Sequence, residues 1–228
     1  MNMPLNTTAD VDNHLEQARF NMIEQQVRPW RVFDEAILDG FAQLRREEFV
    51  PAEHRAQAFA DLEVPLPGGE CMLAPKVEAR TLQDLQVKKH ERVLEIGTGS
   101  GYMAALLARQ AAHVLSLELH PALVEFAQAN LKKAGVTNVE VRQADGAVAT
   151  LAEGPFDVIV LSGSVAHVPQ QLLEQLKDGG RLEAIVGELP MMRTTLVRRV
   201  GSSFEVTQPW DTVGPRLHGF PEPSHFSF

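Results

Sequence analysis

Cysteine is almost absent from this sequence: the 228 residues include one, Cys71. A single thiol excludes an internal disulfide and any metal site built from several cysteines, and we predict that the protein binds no metal. Such sparing use of cysteine fits a reducing compartment. We therefore expect the protein to be cytoplasmic.

An excess of basic charge and a long apolar run are also missing. Lys and Arg number 21 against 30 Asp and Glu, which gives a formal net charge of -9. Nucleic-acid binding requires a basic surface that neutralises phosphates, so we expect no nucleic-acid partner. No uncharged apolar run approaches the ~20 residues that cross a bilayer, and residues 1–14 lack the basic and apolar regions of a signal peptide. We expect neither membrane association nor export.

Hydrophobic residues make up 44% of the chain, enough for one good-sized core. Residues 1–17 are polar, show no apolar periodicity and are predicted to be a flexible terminus. Apolar residues then recur at helical spacing in residues 18–27 and 34–44. We predict N-terminal helices and a substrate loop over residues 18–78, followed by a ligand-binding core over residues 79–228, the whole forming one integrated domain.

From residue 92 onward, short β-branched runs alternate with helical segments. Strands are predicted at 92–96, 113–117, 139–142, 157–161 and 181–186, with helices at 103–110, 121–134 and 169–176. Two more strands, 194–200 and 204–208, flank a Gly-Ser-Ser turn and predict an antiparallel hairpin. The fold class is therefore α/β: a doubly wound, mostly parallel, Rossmann-like sheet with a C-terminal antiparallel hairpin and an N-terminal helical extension.

Three glycines at alternating positions, Gly97, Gly99 and Gly101, follow the first strand of this core. Glycines after a strand let the backbone turn sharply and lie against a ligand, and the next helix offers unpaired N–H groups at its start. A nucleotide-type cofactor is predicted here. The glycines alone leave both a nicotinamide dinucleotide and S-adenosylmethionine open, because both classes of site use them.

Acidic residues at the ends of the next two strands narrow the choice. Glu118 ends the second strand, where a carboxylate accepts hydrogen bonds from ribose hydroxyls in both classes. Asp145 and Gly146 follow the third strand, where an acid can accept from the amino group of adenine. Ser162 opens the loop after the fourth strand, where the reacting end of the cofactor is expected. This pattern favours S-adenosylmethionine, converted to S-adenosylhomocysteine.

With these residues the chain resembles the protein-L-isoaspartate O-methyltransferase family of class I methyltransferases, from about residue 20 to residue 217. The likeness includes the runs at residues 22–27, 46–51 and 58–61 as well as the glycine turn. It implies that Glu118 binds the ribose and that His120 lies near the adenine, whose edge meets Asp145 and Gly146. The residues that it places around the methionine part of the cofactor are Glu95, Gly97, Thr98, Gly99, Ser100 and Gly101. The predicted cofactor-binding residues are Glu95, Gly97, Thr98, Gly99, Ser100, Gly101, Tyr102, Glu118, Leu119, His120, Asp145 and Gly146.

The substrate loop departs from the family pattern at two positions. Cys71 stands where the family has threonine, and Leu73 where it has an active-site serine. Losing that hydroxyl removes a hydrogen bond to a charged group worth roughly 1.5–3 kcal/mol. The candidates for substrate contact are Cys71, Met72, Leu73, Pro75 and Ser162, and no catalytic base is identified.

A carboxylate acceptor needs no base, because with a pKa near ~4 it is already ionised at neutral pH. The resemblance therefore implies methylation of the isoaspartyl carboxylate of a damaged protein or peptide. Two alternatives stay open: a methyltransferase diverged towards another acceptor such as a small molecule, and a cofactor-binding protein without isoaspartyl activity. His167 and His218 lie in loops, and solvated side chains are the simpler interpretation of both.

Overall fold

The N-terminal part of the protein is helical. The computed structural model describes residues 8–222. Helix α1 spans Thr8–Met22 and continues through a π-helical turn, Ile23–Val27, and a 3-10 turn, Arg28–Trp30. Helix α2 spans Glu35–Gln43, and the side chain of Asp34 caps it by accepting a hydrogen bond from the backbone N–H of Ala36 at 2.8 Å. Both predicted helices are present.

The start of α1 differs from the predicted flexible terminus. Residues 1–7 lie outside the described residues, but the helix already begins at Thr8. Residues 8–17 are polar and show little apolar periodicity, so their pattern does not predict a helix. Leu15 and Ala18 nevertheless pack against the buried core. Tertiary packing of this kind overrides a weak local pattern.

The predicted substrate loop is a small two-stranded sheet, flanked by an unpredicted helix. Two short 3-10 helices, Arg46–Glu48 and Ala52–Gln57, precede strands β1 (Val64–Pro65) and β2 (Cys71–Met72), which pair antiparallel. Helix α3 then spans Pro75–Leu85, with Pro75 in its first turn. The predicted division between residues 78 and 79 falls inside α3, so the N-terminal segment and the core share a continuous helix.

The main sheet has seven strands: β3 (Arg92–Ile96), β4 (His113–Glu118), β5 (Val139–Gln143), β6 (Phe156–Val165), β7 (Leu176–Glu188), β8 (Met191–Val200) and β9 (Ser203–Thr207). Their order is β5-β4-β3-β6-β7-β8-β9, and the first five strands in this order run parallel. The antiparallel strands β8 and β9 complete the sheet, as predicted. The connecting helices are α4 (Tyr102–Ala108), α5 (Pro121–Lys133) and α6 (Gln170–Glu174).

Strand β7 begins earlier than predicted, and helix α6 is correspondingly shorter. Gly179 and Gly180, which separate the helix predicted at 169–176 from the strand predicted at 181–186, lie within β7. The pairing of β6 with β7 shifts register between Phe156 and Val158. The two glycines therefore accommodate an irregularity inside β7 and do not end α6. A sequence pattern alone does not distinguish these two uses of glycine.

The two faces of the sheet pack against separate cores. Val93, Val158 and Val160 belong to the larger core with α1 to α5, whereas Leu94 and Ile159 belong to a second core that includes residues of α6. This alternation follows from the two-residue period of a strand. Among the described residues, no helix is long and apolar enough to cross a membrane.

The sheet order also fixes where a ligand can bind. Strand β3 pairs with β4 on one side and with β6 on the other. The chain connections therefore diverge between β3 and β6, and a crevice opens outside the carboxyl ends of these strands.

Candidate cofactor and substrate site

The glycine turn after β3 forms one wall of this crevice. Gly97, Gly99 and Gly101 have φ angles of +92°, +54° and +84°, a region that side chains with a Cβ rarely occupy. At Gly97 a Cβ would lie 2.8 Å from Cδ2 of Leu217. The turn therefore requires glycine for its backbone angle and for the close approach of the C-terminal segment.

Glu118 holds the glycine turn and the next loop together. It is 5% exposed at the end of β4. One carboxylate oxygen accepts a hydrogen bond from the N–H of Gly99 at 2.9 Å, and the other accepts from the N–H of His120 at 3.0 Å. Because each carboxylate oxygen can accept more than one hydrogen bond, Glu118 keeps capacity for a ligand in the crevice.

Glu95 lies fully buried in β3, beneath the glycine turn. The hydroxyls of Ser116 and Ser162 donate to its two carboxylate oxygens at 2.6 and 2.7 Å, and Ser116 is itself 2.6 Å from the hydroxyl of Thr98. Burial raises the pKa of Glu95 to about 8, although both hydroxyl groups act in the opposite direction. The side chain is thus a neutral acid over much of the physiological range.

An open cleft of about 590 Å³, a volume that includes open solvent, occupies the crevice. Nine of the predicted site residues line it: Cys71, Gly97, Gly99, Glu118, Leu119, His120, Asp145, Gly146 and Ser162. Gly146 lies so close to β3 that a Cβ would clash with Cγ2 of Ile96. The ends of β3, β4, β5 and β6 therefore meet at one cleft, as the sequence predicted.

Other predicted cofactor residues support the cleft from behind. Thr98 contacts Ser116, the carbonyl of Ser100 accepts a hydrogen bond from Asn130, and Gly101 lies against Ala127. These contacts are to the protein core.

Tyr102 does not line the cleft. Its side chain is fully buried, with its ring packed edge-on against Phe41 and Phe49 and the guanidinium of Arg46 4.8 Å from the ring centre. The cofactor-binding role of Tyr102 stays a prediction, and its side chain takes no part in the cleft wall. As the first residue of α4 it follows the glycine turn directly, but the helix directs the ring into the N-terminal helices.

Of the candidates for substrate contact, Cys71 and Ser162 border the cleft. Burial, together with the nearby carboxylate of Glu63, raises the pKa of the Cys71 thiol to about 12. The thiol is therefore protonated at neutral pH and is a poor nucleophile. Met72 and Pro75 are buried.

Leu73 borders a second, inner cavity with Ser162 and Glu183. It is 8% exposed, and its carbonyl accepts a hydrogen bond of 2.5 Å from Arg46. Glu183 is 1% exposed, and burial raises its pKa well above the ordinary value. Because Ser162 lines both spaces, the inner cavity adjoins the cleft at the position where the reacting end of a ligand was predicted.

The C-terminal segment closes one side of the cleft, a feature that sequence reasoning missed. Pro215, Arg216, Leu217, His218 and Phe220 line the cleft together with Glu70. The segment is held by Ser164, whose N–H donates to the carbonyl of Pro215 at 2.7 Å and whose carbonyl accepts from the N–H of Leu217 at 2.9 Å. No local pattern indicates this contact, since it joins residues about 50 positions apart.

This sheet order, with a glycine turn after β3 and acids at the ends of β4 and β5, is that of a class I S-adenosylmethionine-dependent methyltransferase. Within that class, the chain belongs to the protein-L-isoaspartate(D-aspartate) O-methyltransferase family, whose sequence profile matches residues 17–209. The family predicted from the sequence is confirmed.

Individual relatives support the same assignment. The protein-L-isoaspartate O-methyltransferase of Koribacter versatilis is 37% identical over 194 residues, which cover 85% of this chain and 86% of that protein. The enzyme of the same name from Methanoculleus marisnigri is 41% identical over 169 residues, 74% of this chain and 77% of that protein. The crystal structure of a putative Plasmodium falciparum member in complex with S-adenosyl-L-homocysteine superposes with a TM-score of 0.76 at 20% identity, covering 89% of this chain and 97% of that one. That structural likeness concerns the fold.

Proposed function

We propose that this chain transfers a methyl group from S-adenosylmethionine to the isoaspartyl carboxylate of a damaged protein or peptide. The observation that carries the proposal is the junction of two cavities at Ser162: the cleft at the strand ends and the inner cavity bordered by Leu73. A methyltransferase needs a cofactor site and an acceptor site that meet at one point. Family membership supplies the chemical class of the acceptor.

The cleft residues fit this cofactor. Gly97 and Gly99 bring bare backbone to the cleft wall, Glu118 has hydrogen-bonding capacity for ribose hydroxyls, and Asp145 with Gly146 borders the end that an adenine would occupy. Asp145 is oriented by the N–H of Ala147, which donates to it at 2.9 Å. When bound, S-adenosylmethionine supplies an electrophilic methyl group on a positively charged sulfur.

The protein's own contribution is alignment and exclusion of water. An isoaspartyl carboxylate is ionised at neutral pH, so the absence of a histidine or lysine general base among the residues bordering the inner cavity fits the reaction. Ser162, between the two cavities, is held by Glu95 and limits the approach direction of the acceptor. We infer that the enzyme works in the cytoplasm, since its single cysteine fits a reducing compartment.

A second candidate function follows from the inner cavity. Leu73 presents no hydrogen-bond donor from its side chain to the inner cavity. This residue favours a neutral or less polar acceptor over an isoaspartyl carboxylate. The alternative is a methyltransferase of the same family with a changed acceptor.

The deciding experiment measures transfer of labelled methyl from S-adenosylmethionine to an isoaspartyl peptide. The same peptide with normal aspartate is the substrate control, and Glu118→Ala is the enzyme control. The proposal expects transfer to the isoaspartyl peptide alone, with strong loss in the variant. Cofactor binding without transfer to this peptide contradicts it and favours the changed acceptor.

A further inference from the structure

Three side chains from distant parts of the sequence converge at the mouth of the cleft. Glu70 follows the turn between β1 and β2, His120 follows β4, and His218 lies in the C-terminal segment. The Nε2 atoms of His120 and His218 lie 3.3 and 3.0 Å from the same oxygen, Oε1 of Glu70. The three atoms lie within 4.8 Å of one another.

The two separations from Glu70, 3.3 and 3.0 Å, match the edge of a metal coordination polyhedron. Metal–nitrogen and metal–oxygen bonds of about 2.0–2.1 Å in a tetrahedral site place neighbouring ligand atoms about 3.3 Å apart. The imidazole rings meet at 81° with their centres 5.8 Å apart, so two nitrogens approach one point without stacking of the rings. Nε2 of His120 is buried and has no hydrogen-bond partner among the described residues.

We propose that Glu70, His120 and His218 bind one divalent transition-metal ion of the zinc class. Two imidazoles and one carboxylate suit zinc and its neighbours in the first transition row, whereas magnesium and calcium prefer oxygen ligands. Three protein ligands leave a fourth position open towards the cleft, as in sites that retain a bound water or substrate atom. His218 is more than half exposed, which gives the ion a path from solvent.

The proposed site departs from the prediction that the protein binds no metal. That prediction rested on the scarcity of cysteine, and histidine sites are recognisable from sequence when their ligands follow a short regular spacing. Here the ligands are separated by about 50 and about 100 residues, and the sheet brings them together. Bound metal would fasten the C-terminal segment to the substrate loop across the cleft mouth, and so oppose cofactor exchange.

The first test is metal binding by the purified, tag-free full chain, without any methyl-transfer assay. Calorimetric titration with ZnCl₂ at pH 7.5 should show one equivalent of zinc bound. Titration with CoCl₂ should give the stronger visible absorption of four-coordinate cobalt. Glu70→Gln and His218→Ala should each weaken zinc binding by at least about tenfold. His90→Ala, at an exposed histidine between α3 and β3, is the matched control and should bind as the parent does.

Thermal unfolding without metal shows whether each variant is folded, and the same scan with zinc gives an independent readout. Zinc should raise the Tm of the parent and of His90→Ala, but not that of His218→Ala, because binding to the native state alone stabilises it. The absence of one-to-one binding to the parent overturns the proposal. Unchanged affinity in folded Glu70→Gln and His218→Ala also overturns it, and leaves the three side chains as an ion-pair cluster.

Discussion

The hydroxyl of Ser162 donates a hydrogen bond of 2.7 Å to Oε1 of Glu95, and this contact joins the ends of β6 and β3 across the switch point of the sheet. Ser116 of β4 donates to the other oxygen of Glu95. One buried carboxyl group thus ties three neighbouring strands directly beneath the cleft. Its charge state affects any cationic ligand that binds above it.

Glu95→Gln should remove a pH dependence from cofactor binding. The pKa of Glu95 is raised to about 8, so the group is neutral below this value and becomes anionic as the pH rises through it. The anion attracts a positively charged sulfonium. Between pH 6.5 and 9, the affinity of the parent for S-adenosylmethionine should therefore rise relative to that of the variant, by roughly tenfold or about 1.4 kcal/mol.

Isothermal titration calorimetry at several pH values measures this difference. S-adenosylhomocysteine, which lacks the sulfonium charge, is the matched ligand and should show a smaller change. Parallel pH profiles for parent and variant would mean that the ionisation of Glu95 does not influence the cleft.

Glu118→Ala should weaken cofactor binding more than Glu118→Gln does. In the alanine variant, the backbone N–H groups of Gly99 and His120 both lose the carboxylate that accepts their hydrogen bonds. The glutamine variant retains one acceptor oxygen. We expect at least about a tenfold loss of affinity for S-adenosylhomocysteine in Glu118→Ala and a smaller loss in Glu118→Gln.

The matched control is Glu125→Ala, at an exposed glutamate of α5. Its affinity should equal that of the parent. Equal binding by Glu118→Ala would remove Glu118 from the cofactor site, provided that thermal unfolding shows the variant to be folded.

The sequence predicted the parts of this molecule that depend on local patterns. Strand β3, the glycine turn and the acids at the ends of β4 and β5 follow from short-range periodicity and from the rule that parallel strands end at one edge. The position of Tyr102 could not be predicted in this way, because the direction of its ring depends on how α2 and the residues that follow it pack over α4. The closure of the cleft by Leu217 and His218 depends on the path of the C-terminal segment, which no periodicity encodes.

Arg46→Met should destabilise the fold strongly, because Arg46 connects the N-terminal segment to α3 and to the substrate loop. Its guanidinium is fully buried, donates to Glu78 and to the carbonyl of Ala58, and also holds the carbonyl of Leu73. Removing one partner of a buried ion pair leaves an uncompensated charge and costs about 3–5 kcal/mol.

Urea unfolding of the two single variants, Arg46→Met and Glu78→Met, and of the double variant measures the coupling between these residues. The double variant should be far more stable than the sum of the two single losses indicates. Additive losses would show that the two side chains act independently.

Leu73→Ser should increase methyl transfer to an isoaspartyl peptide while lowering stability. Leu73 packs in a buried cluster with Val77, Ile185 and Met192, so shortening it should reduce the free energy of unfolding by about 2–4 kcal/mol. The introduced hydroxyl can donate to a carboxylate in the inner cavity, and a hydrogen bond to a charged group should raise kcat/KM for the isoaspartyl peptide by roughly tenfold or more.

Leu73→Ala is the matched control, since it opens the same space without a donor. A gain in the serine variant alone would assign carboxylate recognition to this position. Equal activities of the serine and alanine variants would show that Leu73 affects the acceptor through volume, in keeping with a changed acceptor.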